Sequence, residues 1–94
     1  MKFANKSKVN ALLDKGGQLI DLRSPVDFRN GTFGSAKNLP LKNFINTFLK
    51  FDKTKPLVLI VNFVDDADIK TVDMYAAQLG FEKIWAAEYN QLRD

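Results

Sequence analysis

The sequence predicts an α/β fold, a three-layer α/β/α sandwich around a mostly parallel sheet, and three observations lead there. Helical and strand-like hydrophobic periods alternate along the chain. The run Leu57-Val-Leu-Ile-Val61 is apolar at every position, as expected of a central strand covered on both faces. Gly16-Gly17, Gly31 and Gly80 fall where periodic segments stop.

The elements follow in order. Ser7 is placed to cap a first helix whose Val9, Leu12 and Leu13 share a face, and Gly16-Gly17 ends it. A strand over residues 18–22 comes at once. Beyond it, Ser24 is a natural N-cap and Pro25 sits at the first helical position, where its missing N–H costs nothing. Gly31 ends that short helical piece. Leu41, Phe44, Ile45, Phe48 and Leu49 then repeat at the spacing of a helix that packs one stripe against a sheet. Residues 52–56 make a turn into the central strand. From Ala67 the helical period returns with Ile69, Val72, Tyr75, Ala76 and Leu79 inward, and Gly80 caps it. Residues 82–85 are expected to form a last strand, and residues 88–92 a closing helical turn.

With 94 residues the chain reads as one domain, residues 1–94, able to bury ~60–65% of its unfolded surface. Hydrophobic residues at 46% and charged residues at 27% are a globular balance. No apolar run approaches the ~20 residues of a membrane span, and the charged start lacks the apolar core of a secretory signal. A cytoplasmic location without membrane association is therefore expected. The sequence contains neither cysteine nor histidine. Thiolate catalysis, disulfide exchange, Cys/His metal sites and imidazole acid–base catalysis are all excluded.

Charge is distributed unevenly. Residues 1–55 hold eleven lysines and arginines against four carboxylates, whereas residues 56–94 hold three against seven. The lysines Lys2, Lys6, Lys8, Lys15, Lys37, Lys42, Lys50, Lys53 and Lys55 are scattered in sequence without interleaved aromatics, so a solvated surface is expected rather than a nucleic-acid interface.

Residues 19–41 carry the most specific pattern. Asp21, Arg23, Asp27, Phe28, Gly31, Thr32, Phe33, Ser35, Ala36, Asn38, Leu39 and Pro40 stand at the spacing of an Asp-x-Arg, an acidic-Phe pair, a glycine turn and an Ala-x-Asn-Leu-Pro re-entry. This segment resembles the signature of the rhodanese-like family, with Thr32 in place of the usual His and Ser35 in place of the usual Gly. The order of elements extends the resemblance over nearly the whole chain and implies the family's five-stranded, mostly parallel sheet. It also implies structural roles for Asp21, Arg23, Asp27, Phe28, Gly31, Ala36, Asn38 and Pro40. An ion pair or hydrogen bond is expected of Asp21 and Arg23, and capping and packing of Asp27-Phe28.

In active members the loop after the central strand begins with a cysteine whose neighbouring N–H groups cradle an anion. Counting back from Gly80-Phe81 puts that position at Phe63, or at Asn62 if the loop differs by one residue. Neither side chain is a nucleophile for sulfur transfer. The rest of the loop, Val64, Asp65, Asp66, Ala67 and Asp68, supplies carboxylates where the family supplies glycine, a cation and a hydroxyl. Those acids suit the start of a helix and should repel thiosulfate. Ala86-Ala87-Glu88-Tyr89 replaces a Gly-Gly near the family's active-site mouth. Trp85 and Tyr89 read as a core cover or as part of a partner surface.

The resemblance with its cysteine absent implies a non-catalytic rhodanese-like protein, a binding or regulatory module with a protein partner of unknown identity and no cofactor or metal. The alternative is an enzyme or metal-binding protein using Asp65, Asp66 and Asp68, although the glycine-punctuated spacing of a calcium loop is missing. A third reading has a partner bringing the thiol. The run from Leu57 to Asp66, Leu-Val-Leu-Ile-Val-Asn-Phe-Val-Asp-Asp, echoes the strand-plus-acidic-pair opening of a response-regulator receiver, but that opening calls for a phosphoacceptor Asp on a later strand and only 26 residues follow Asp68. Oligomeric state is open.

Overall fold

A computed structural model describes residues 1–65 and 67–93, with Ala67 by its backbone alone. Chain order is β1 (Lys2–Phe3), α1 (Lys6–Asp14), β2 (Gln18–Asp21), α2 (Pro25–Arg29), β3 (Lys37–Asn38), α3 (Leu41–Thr47), a 3₁₀ turn (Phe48–Lys50), β4 (Leu57–Val61), α4 (Ala67–Leu79), β5 (Ile84–Glu88) and α5 (Tyr89–Leu92). The five strands form one sheet in the order β1-β5-β4-β2-β3, and every neighbouring pair is parallel. The expected mostly parallel sheet is thus wholly parallel.

β4 is central, and all five of its residues are buried. Alternation along the strands sends Leu57 and Leu59 to one face and Val58 and Ile60 to the other. The first face is covered by α3, α4 and the segments that follow them, where Phe44, Phe48, Phe51 and Phe81 pack in stacked, tilted and edge-on pairs with ring centroids 4.7 to 5.4 Å apart. Val9 and Leu12 of α1 and Leu92 of α5 cover the second face, which completes the three layers. No helix among the described residues is long and apolar enough to cross a membrane.

Several boundaries differ from the sequence reading, each for a local reason. Asn5, not Ser7, caps α1, and its side chain accepts the Lys8 N–H at 2.9 Å. The chain turns into the helix directly from β1, so the cap falls two residues earlier. β1 is an exposed two-residue strand held by pairing to Trp85 and Ala86, and no periodicity announces it. β2 ends at Asp21, although the Leu22 N–H still reaches the Ile60 carbonyl at 3.0 Å. Leu49 is 69% exposed because the end of α3 tightens to three residues per turn and carries it off the stripe. Tyr75 lies at the border of the α4 stripe centred on Val72 and Ala76 and is exposed. The last strand is not residues 82–85 but Ile84–Glu88, followed immediately by Tyr89–Leu92. Ala86 and Ala87 are weak strand formers, yet β5 lies between two partners and pairing overrides propensity.

Candidate functional site

At the carboxyl ends of the strands, the chain leaves β2 toward β3 on one side and leaves β4 toward β5 on the other. That reversal between two adjacent strands opens a crevice where ligands of open α/β sheets bind. Here it is a cavity of about 220 Å³ walled by Leu22, Leu41, Val61 and Ile69, with Asp27, Asn62 and Asp68 supplying polar side chains.

One wall is built on a buried carboxylate. Asp21 is fully buried at the end of β2 and accepts the Arg23 N–H at 2.9 Å, Arg23 Nε at 3.1 Å, Arg23 Nη2 at 2.9 Å and Thr32 Oγ1 at 2.7 Å. Arg23 Nη2 also donates to the Gly31 carbonyl at 2.6 Å, and the guanidinium lies 4.0 Å over the Tyr89 ring. Thr32, at the position of the family's histidine, thus closes the same network with a hydroxyl. Asn38 Nδ2 donates to the carbonyls of Asp21 and Arg23, tying β3 and the re-entry before Pro40 to the loop. Gly31 has φ +144, and a Cβ there would stand 2.6 Å from Tyr89 Oη. Only glycine fits between the arginine and the tyrosine.

Ser24 caps α2 by accepting the Asp27 N–H at 3.2 Å, with Pro25 in the first turn. Asp27 in turn accepts Asn62 Nδ2 at 3.2 Å, which pins the loop after β4 to α2. Phe28 and Phe33 are half-buried, Ala36 is buried, and Ser35 is exposed.

In the loop itself, Phe63 is 62% exposed and turned away from the core. Val64 packs on Val61, Ile69 and Ala86. Its N–H is not open to an incoming anion, because Glu88 Oε2 accepts it at 3.1 Å. The register explains that contact: Glu88 pairs with Val61, the last residue of β4, so its side chain lies beside the departing loop. Sequence reading assigned the occupying carboxylates to the loop and missed Glu88. The signal lay in Ala86-Ala87-Glu88-Tyr89 standing where the family has Gly-Gly.

Asp65 is exposed and Asp68 stands in the first turn of α4, while Asp66 lies outside the described residues. Among the described residues no group of three carboxylates is placed to hold a metal ion. The cavity wall carries Asp27 and Asp68, and Arg23, its one cation among the described residues, is already engaged by Asp21. Trp85 and Tyr89 are both half-buried against the second face, Trp85 under Lys2 and Lys8 and Tyr89 under Arg23.

The sequence profile of the rhodanese-like domain matches residues 5–88. No curated protein matches the chain in sequence. Among solved structures, the chain is similar to a rhodanese-related protein of Thermoplasma volcanium, with a TM-score of 0.74 and 16% identity over 95% of this chain and 85% of that one. It is also similar to the single-domain sulfurtransferase RDL2 of Saccharomyces cerevisiae, with a TM-score of 0.65 and 17% identity over 97% of this chain and 87% of that one. These likenesses show the fold.

Proposed function

We propose that this chain, which belongs to the rhodanese-like domain family, is a non-catalytic member that serves as a binding or regulatory module for a protein partner in the cytoplasm. The sequence has no cysteine to carry a persulfide. The observation that carries the reading is the Glu88 carboxylate on the Val64 N–H, at 3.1 Å. A carboxylate of the chain itself takes a donor that an anion cradle would turn toward thiosulfate. Asp27 and Asp68 on the cavity wall add repulsion for any second anion.

What remains for the site to do is bind. Asn62 and Asp27 join the loop to α2, and their neighbours Phe63 and Val26 are 62% and 56% exposed. Large apolar side chains held outward beside a partly apolar crevice suit a protein partner, since aromatic anchors contribute most where they become desolvated. The test is thiosulfate:cyanide sulfurtransfer by the pure chain. The expected rate is that of the buffer blank, and measurable turnover overturns the proposal.

A further inference from the structure

At the other end of the sheet, lysines far apart in sequence converge on the sole tryptophan of the chain. Lys2 pairs with Trp85 across β1 and β5, and its Nζ lies 5.1 Å from the indole ring centroid. Lys8 of α1 approaches the same ring to 4.7 Å. Lys8, Lys15, Lys83 and Trp85 line a cavity of about 300 Å³, and no carboxylate among the described residues lines it. Lys83 Nζ is positioned by the Thr54 carbonyl at 3.3 Å.

We propose that this basic cavity binds a compact polyphosphate, free or as the phosphate chain of a nucleotide. Lys8, Lys15 and Lys83 all line this one space, so an anion lying in it is attracted by three positive charges at once. The lysines of the lining are flexible point charges, each able to reach a different oxygen of a multiply charged phosphate chain. The ring of Trp85 is already faced by Lys2 and Lys8, so phosphates rather than a stacked base are the recognised element. The site lies at the amino ends of β4 and β5 and is independent of the crevice at their carboxyl ends.

The single tryptophan reports on the site directly. Titration of the full chain with tripolyphosphate at low salt is expected to give a saturable change in Trp85 fluorescence that weakens as salt is raised. The double variant Lys8→Gln, Lys83→Gln should bind at least tenfold more weakly by calorimetry, with its circular dichroism unchanged. Lys42→Gln, Lys50→Gln, at α3 and the turn after it, should bind as the parent does. A nucleoside triphosphate that binds no tighter than tripolyphosphate assigns the site to the phosphate chain itself; tenfold tighter binding assigns it to a nucleotide. Absence of a saturable signal, equal loss in both double variants, or tighter binding of a single-stranded oligonucleotide than of tripolyphosphate overturns the proposal.

Discussion

Removing the buried carboxylate of Asp21 should be the most damaging single change in the wall of the site. Four donors converge on it, three of them from Arg23, whose side chain is itself only 5% exposed. Asp21→Ala leaves that guanidinium buried with only the Gly31 carbonyl and the Tyr89 ring for company. Stranding one charge of a buried pair costs ~3–5 kcal/mol, a large part of the ~5–15 kcal/mol that holds a domain folded. At a urea dependence of ~1.5 kcal/mol per M, the unfolding midpoint should fall by ~2–3 M. Replacing both partners, Asp21→Leu with Arg23→Met, removes the stranded charge and should recover part of the loss, short of all of it because the Thr32 hydroxyl and the Gly31 carbonyl lose their partners. Urea unfolding followed by far-ultraviolet circular dichroism measures all three proteins. A loss below ~1 kcal/mol for Asp21→Ala, or a double variant worse than the single one, would refute the reasoning.

Three further outcomes follow from local geometry. Asn5→Ala should cost ~1 kcal/mol by removing the cap on α1, and Ser7→Ala nothing measurable, both read by thermal unfolding. Gly31→Ala should destabilise strongly because its Cβ meets Tyr89 Oη, and Tyr89→Phe in that background should recover part of the loss, since the ring carbon behind the hydroxyl is 3.7 Å away. The Asp52 carboxyl is held below its ordinary 3.8 by hydrogen bonds from the Thr54 side chain and then the Thr54 N–H, so its contribution to stability is complete above 3.8 and is lost as pH falls through the lower folded value. Thr54→Val should move the Asp52 carboxyl titration, followed by NMR, back up toward 3.8.

The parts of the fold legible in sequence were those fixed by dense local chemistry. The five buried residues of β4 could be read because a strand covered on both faces has no polar position to disguise it. Residues 19–41 could be read because Ser24, Pro25 and Gly31 each meet a backbone demand that few residue types satisfy. β1 and β3 are two residues each, too short to carry a period, and exist only through pairing with β5 and β2. Leu49 and Tyr75 were misplaced because an ideal helical period was extended through a 3₁₀ turn and past the edge of a stripe. At the site, the missing nucleophile was evident from composition alone. The hold of Glu88 on Val64 was not, since it joins residues 24 apart in sequence through the register of β4 and β5. The gathering of Lys2, Lys8, Lys15 and Lys83 around Trp85 was hidden for the same reason, as sequence scatter says nothing of the pairing that brings β1 and α1 against β5.

The central claim, a rhodanese-like scaffold used without sulfur chemistry, is tested most directly by asking whether the protein ever holds transferred sulfur. The pure chain is incubated with thiosulfate labelled in its outer sulfur, desalted and counted, which needs no assumption about the acceptor. The account predicts no label above that on an unrelated cysteine-free protein. Label retained in proportion to protein and released by cyanide would contradict it.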